Sequence, residues 1–151
     1  MRAVVDSSTW ISLARAGLLD ILRTVSVDPV LVDVVHAEIV DEGRRGGYPD
    51  ATALSAAVAS IPQTPTSGSA PVDARILDAA QSIGMLIAND LALGRRARSL
   101  GIAWIRTADL VILAVKNRSM SAREGIEGLS ALEASGRITQ ELADAYREQL
   151  Q

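Results

Sequence analysis

The stretch Ala3-Val4-Val5-Asp6-Ser7-Ser8-Thr9-Trp10-Ile11 decides the fold class of this chain. Residues 3–5 are a short β-prone apolar run without polar alternation, the pattern of a strand buried on both faces. One acid, Asp6, ends the run. Behind the hydroxyl residues, Trp10, Ile11, Leu13, Ala14, Leu18 and Leu19 recur close to helical spacing, with Gly17 as a point where the helix breaks and restarts. A buried strand passing through an acid into an amphipathic helix is the first half of a parallel β-α unit.

The same rhythm recurs downstream. Val30-Leu31-Val32 is a second strand, and Asp33 caps a helix running to about Gly43. Residues 43–50 are rich in turn formers, residues 51–58 form a small helix, and residues 63–71 are a Pro/Ser/Gly/Thr loop. That loop reads as a flexible internal segment and not as a linker, because neither side is long enough for a comfortable core of its own. Asp73 opens a helix to Ile83, closed by Gly84. Met85-Leu86-Ile87-Ala88 is a third strand, followed by Asn89-Asp90 and a helix over 91–100 that Gly101 terminates. Residues 102–105 make a fourth strand and residues 110–116 an apolar helix. Ser121 and Glu124 form a capping box for a helix to Ser135, and Thr139 caps a last helix to Leu150.

Strands alternating with helices predict an α/β fold. The expected form is a three-layer α/β/α sandwich around a central, mainly parallel sheet of four to five strands with right-handed crossovers. Residues 1–151 are expected to form a single domain, with 119–151 as a helical C-terminal extension. In such sheets ligands gather beyond the carboxyl ends of the strands, at the point where strand order reverses. The residues just after each strand are therefore the candidates for chemistry.

Composition narrows that chemistry by exclusion. The chain has 151 residues, 15 basic and 18 acidic side chains, a net charge of -3, no Cys and one His, His36. A thiol nucleophile, a disulfide framework and thiolate metal sites are ruled out. A lone His leaves His-based metal cages and a Ser-His-Asp triad without support. Trp10, Tyr48, Trp104 and Tyr146 are the only aromatics, so base-stacking platforms are scarce. No leader-like segment and no apolar run near ~18 residues is present, so a soluble, cytoplasmic protein without a membrane partner is expected. The mild acidity hides a split: residues 71–118 carry 7 basic and 4 acidic side chains, while both flanking segments are net acidic. Only that middle third offers a basic face to an anion.

Four acids come from four separate segments that this topology brings to one sheet edge. Asp6 and Asp90 follow strands, Asp73 begins the helix before the third strand, and Glu38 falls inside an apolar helical pattern between Val35 and Ile39. Clustered carboxylates repel and are costly to desolvate unless a cation neutralises them. Hard divalent ions such as Mg²⁺ or Mn²⁺ suit oxygen-only donors and activate water for attack at phosphorus. Helix capping is the competing explanation for Asp6, Asp73 and Asp90, each of which precedes a helix. Solvation or a salt bridge is the alternative for Glu38.

Ordered blocks add to this reading. Val4-Val5-Asp6-Ser7-Ser8-Thr9-Trp10-Ile11, Val34-Val35-His36-Ala37-Glu38-Ile39, Asp73-Ala74-Arg75-Ile76-Leu77-Asp78-Ala79-Ala80 and Leu86-Ile87-Ala88-Asn89-Asp90 occur in sequence. Together they resemble the four motif blocks of a PIN domain, over about residues 3–118. The resemblance implies a metal-dependent ribonuclease fold, as in the toxin subunits of VapBC-type toxin–antitoxin pairs. Asp6, Glu38, Asp73 and Asp90 would then be the catalytic, metal-binding acids, with Mg²⁺ or Mn²⁺ as cofactor. Ser8 would hold the first acid or a metal-bound water, and Asn89 would orient Asp90 or the substrate. Asp78 is a second acid in the third block, and Asp73 is preferred because it leads the block. Asp109 either joins the metal site or caps a helix.

Arg95 and Arg96, in the helix after Asp90, are the candidate phosphate contacts, because a guanidinium makes paired hydrogen bonds to phosphate. Arg98 shares that helix; spread over nearly one turn, the three cannot all face the same way, and a solvated face is the alternative for all three. Arg44 and Arg45 lie in a turn that could also touch RNA. His36, Trp10 and Trp104 read as structural. The resemblance further implies an RNA substrate, an antitoxin protein as partner and a homodimer. Two other functions compete: a non-catalytic PIN-like module that binds protein or RNA, and a receiver domain. The receiver is disfavoured because Ser7 and Ser8 stand where its paired acid is expected.

Overall fold

The computed structural model describes residues 1–66 and 68–151. Five short strands, β1 (Arg2–Val5), β2 (Asp28–Val32), β3 (Gln63–Thr64), β4 (Met85–Ile87) and β5 (Ala103–Ile105), form one sheet in the order β3-β2-β1-β4-β5. Every pairing is parallel. On β1, Val4 stands opposite Val30 on one side and Leu86 on the other, and Val5 stands opposite Ile87. Val4, Val5, Leu31, Leu86 and Ile87 are completely buried, which is why these runs show no polar alternation.

Helices cover both faces, as the three-layer expectation requires. After β1 come α1 (Ser7–Ala16) and α2 (Ile21–Thr24), and Gly17 ends α1 at φ 70 with its N–H donated to Ala14 O. After β2 the chain runs without a break through α3 (Asp33–His36), a π-helical segment (Ala37–Glu42) and α4 (Gly43–Arg45), then α5 (Asp50–Val58). The long crossover from β3 to β4 is α6 (Val72–Ile83), which packs on β1 and beside α7 (Leu91–Ser99). The chain then continues through α8 (Thr107–Lys116), α9 (Ala122–Ala134) and α10 (Gln140–Gln149). α8 and α9 pack with α1, and α10 packs on α8 and α9. Leu129, Leu132, Ala143 and Tyr146 carry this C-terminal packing into the buried core.

Three sequence expectations shift. The loop predicted over 63–71 begins with the edge strand β3, which pairs Gln63 with Leu31 and Thr64 with Val32. Its polar side chains at a sheet edge give no strand pattern to read; Ser67 of that loop lies outside the described residues. The helix predicted from Leu110 begins at Thr107, because the Asp109 carboxylate accepts the Arg106 N–H at 2.7 Å and starts it early. The third and fourth predicted strands are each one residue shorter than expected, the third ending at Ile87 and the fourth starting at Ala103.

A polar latch fixes the end of β2 to the segment before α6. The Asp33 carboxylate accepts the Thr66 hydroxyl (2.6 Å), the Thr66 N–H (3.0 Å) and the Val34 N–H (2.8 Å). Arg75 of α6 donates to the Thr66 hydroxyl at 2.8 Å and to its carbonyl at 3.1 Å, and lies 3.7 Å from Asp33. Burial works to raise the Asp33 carboxyl. The Thr66 and Val34 hydrogen bonds and the Arg75 charge outweigh it and hold the group below its ordinary value of 3.8. Asp33→Ala should therefore cost about 2 kcal/mol in urea unfolding at neutral pH. A depressed folded-state value means that wild type loses this stabilisation as pH falls through the carboxylate range, so the difference should shrink towards acid pH. A difference that is constant with pH would show that the carboxylate charge plays no part.

Candidate active site

β1 and β4 are neighbours whose chain continuations leave in opposite directions along the sheet, so a crevice opens beyond their carboxyl ends. Asp6 stands at the end of β1 with extended backbone (φ -73, ψ 158), its N–H donated to Ile87 O at 3.0 Å. The residue is 7% exposed. Its carboxylate N-caps α1, accepting the Ser8 N–H at 3.4 Å and the Ser8 hydroxyl at 2.8 Å. The Ser8 Oγ also accepts the Asn89 N–H at 3.1 Å, so one hydroxyl joins the ends of β1 and β4. Asn89 Nδ2 donates to Ser12 Oγ at 2.8 Å, and Ser12 Oγ donates to Ser8 O at 2.6 Å. The Asn89 side chain is thus engaged with α1, not with Asp90.

Glu38 reaches the same place from the helix that follows β2. Ser7 Oγ donates to Glu38 Oε2 at 2.8 Å. The apolar pattern around Glu38 suggests burial, yet the residue is exposed; its neighbours Ile39 and Val40 take the inner side. It sits in the π-helical segment, a rare geometry that concentrates at functional sites. Consecutive serines therefore hold the two acids, Ser7 on Glu38 and Ser8 on Asp6. Burial pushes the Asp6 carboxyl above its ordinary range in spite of the Ser8 and Ser7 hydrogen bonds, and the Glu38 charge pushes the same way. Neither acid has a cationic partner within ion-pair distance among the described residues.

The outlying acids have found other partners. Asp90 is exposed and N-caps α7, its Oδ1 accepting the Leu93 N–H at 3.0 Å. Asp73 lies in the first turn of α6 without a capping bond and faces Arg96 of α7 at 3.9 Å. Asp78 lines a separate cavity of about 390 Å³ with Arg2, Val30 and Arg75, near the start of β1 and not its end. Asp109 completes a capping bond to Arg106, and its second oxygen accepts the Tyr146 hydroxyl at 2.9 Å. Among the described residues no three acidic or His side chains gather tightly enough to hold a metal ion. Asp73 and Asp90 satisfy their charge elsewhere, on Arg96 and on a helix N-terminus. The pair that stays together, Asp6 and Glu38, offers only oxygen donors and no internal counter-charge. That donor set fits a hard divalent cation.

The basic residues divide by position. Arg95 is exposed and forms no ion pair among the described residues, while Arg96 is engaged with Asp73. Arg98 instead lies over the Trp104 ring at 5.1 Å, and Arg106 lies over the same ring at 5.1 Å. Trp104 is 9% exposed and donates Nε1–H to Ala88 O at 3.0 Å, just before Asn89. Arg44 donates to Ser55 Oγ at 2.6 Å, and Arg45 is exposed. Sequence reasoning passed over Ser7 and Ser12. The signal was present in the spacing: Ser8 and Ser12 are four apart on one helix face, and Ser7 directly follows the acid.

No helix among the described residues is long and apolar enough to cross a membrane. No curated protein and no solved structure matches the chain. A family model for the PIN domain matches residues 2–151. PIN domains are typically nucleases and generally use divalent metal ions. A parallel sheet in this order, with an acid at the β1 terminus and an acidic helix beside it, accords with a match over nearly the whole length, and the chain belongs to the PIN-domain family.

Proposed function

We propose that this chain is a Mg²⁺- or Mn²⁺-dependent endoribonuclease in which Asp6 and Glu38 would hold the metal and Asp73 and Asp90 would join them when the bound ion offsets the repulsion between the four acids. The observation that carries the reading is the buried Asp6 carboxylate, pushed above its ordinary range beside Glu38 with no protein cation to neutralise either. A divalent ion bound there would supply an activated water and neutralise charge developing on a phosphoryl oxygen. Ser8 and Ser7 hold the two acids in place, and Asn89, tied to Ser8 and Ser12, keeps the β4 end against α1. Arg95 and Arg96 stand on the helix that Asp90 caps, where they would meet RNA phosphates. The roles of toxin, antitoxin partner, homodimer and cytoplasmic location rest on the resemblance to VapBC-type toxins. Residues 1–151 would act as one domain, with 119–151 as its helical extension.

The test is cleavage of a labelled single-stranded RNA with Mg²⁺, Mn²⁺ or EDTA. Glu38→Gln should lower kcat/KM at least ~100-fold, because a lost ligand removes several kcal/mol of transition-state stabilisation. Equal cleavage in EDTA, or an undiminished Glu38→Gln enzyme, would defeat the proposal. A second reading, a non-catalytic module that binds RNA or protein, is favoured by the engagement of Asp73 with Arg96 and of Asp90 with its helix. Calorimetric titration with Mn²⁺ separates the two, since the module predicts no heat that depends on Asp6.

A further inference from the structure

A cavity of about 620 Å³ opens between the β4 terminus and the C-terminal helices. Its volume lies within the ~300–1,000 Å³ range of small-molecule sites. Asn89 and Leu91, which flank Asp90 in the chain, form one wall. The turn between α9 and α10 and the start of α10 form the other, with Arg137, Ile138 and Leu142. Arg106 completes the lining, fixed over the Trp104 ring and by its N–H bond to Asp109, which the Tyr146 hydroxyl of α10 also holds. Arg137 Nε is buried and has no hydrogen-bond partner among the described residues. An unpaired buried guanidinium N–H is costly; Arg15 and Asp50 are the charges of this chain that act on it, and a phosphate entering the cavity would bring a further acceptor. Glu141 is the one acid among the lining residues, against two arginines.

We infer that the C-terminal helices build a nucleotide subsite here, in which Arg106 and Arg137 take a phosphate and Leu91, Ile138 and Leu142 take a base. The inference rests on the nuclease reading for its role: the nucleotide held in the cavity is the neighbour of the one at the acids. Two cations beside an apolar wall suit a charged group joined to a flat apolar one, which free phosphate or a free nucleobase only half satisfies. The subsite gives residues 136–145 a function beyond closing the core.

The experiment is an NMR titration of the ¹⁵N-labelled full chain with AMP in EDTA, so that no metal bridges phosphate to the acids. The expected result is a shift of the Arg137 Nε–Hε signal together with the backbone amides of residues 136–139. Adenosine alone and inorganic phosphate alone should each bind at least tenfold more weakly. Arg137→Gln should weaken AMP at least tenfold; if that variant does not fold, the wild-type shift map decides. Phosphate alone reproducing the full effect, or shifts confined to other residues, overturns the inference. Metal-dependent RNA cleavage without AMP binding overturns the subsite and leaves the nuclease reading intact. AMP binding without cleavage under any metal keeps the nucleotide site and removes the nuclease reading.

Discussion

Asp6→Asn is expected to lower metal-dependent RNA cleavage at least ~100-fold while melting no lower than wild type near neutral pH. The two halves of this expectation have one cause. Asn caps a helix as well as Asp does, so the start of α1 keeps its cap. The substitution removes a carboxylate that is buried next to Glu38 without a counter-charge. Because the folded-state value lies above the ordinary 3.8, the folded chain holds more protons than the unfolded one through the window above that value. Wild-type stability therefore falls as pH rises through this window, and the Asn variant escapes the fall. The melting-temperature advantage of Asp6→Asn should grow from acid to neutral pH, the opposite sign to Asp33→Ala. Mn²⁺ at ~100 times its dissociation constant should stabilise wild type by about 2.7 kcal/mol and leave the variant unmoved. A variant that cleaves normally, or one that melts well below wild type at neutral pH, would remove Asp6 from the role assigned to it.

Gly94→Ala is expected to destabilise the fold by about 3 kcal/mol, read by urea unfolding and loss of the near-UV tryptophan signal. From sequence alone the sign is the reverse, since Ala in a helix interior gains ~1 kcal/mol over Gly. A Cβ on Gly94 would stand 2.0 Å from Trp104 Cε2 and 2.3 Å from Cδ2 and Cζ2. The ring cannot move aside easily: its Nε1 bonds Ala88 O, and Arg98 and Arg106 lie over it. Displacing Trp104 would also pull on Ala88 and thus on Asn89, so cleavage should fall along with stability. Gly128→Ala is the internal control. Its Cβ would meet nothing closer than Leu18 at 3.5 Å, an ordinary van der Waals contact, so it should be neutral or slightly stabilising. Equal effects of the two substitutions would show that backbone freedom, and not the Trp104 contact, decides.

Much of the candidate site was legible because strand ends are legible. A fully apolar run that stops at an acid, as Val4-Val5 does at Asp6, or at a polar pair that includes one, as Leu86-Ile87-Ala88 does at Asn89-Asp90, marks the carboxyl edge of a parallel sheet. Asp6 and Asp90 could be found that way. Glu38 was noticed for an inexact reason: its flanking residues are buried, but the side chain itself is exposed and turned to Ser7. The engagement of Asp73 with Arg96 was invisible, since it joins two helices through side chains that sequence spacing places independently. The same holds for Asp109, whose bond to Tyr146 spans 37 residues. β3 could not be read either, because an edge strand of two polar residues carries no periodic signal.

The sequence by itself determined the layered α/β architecture, the strand ends at which acids stand, and the absence of thiol and His-based chemistry. Those follow from burial and residue type, which act locally and leave a periodic trace. Only the tertiary structure decided which carboxylates remain together, which are neutralised by Arg96 or a helix terminus, and that Arg106 and Arg137 share a cavity with the β4 end. It also decided that the short opening stretch does two tasks at once, with Ser7 holding one acid and Ser8 the other. The physical reason is that charge pairing and hydrogen bonding depend on distances of about 3 Å between residues far apart in the chain, and no pattern along the chain encodes them.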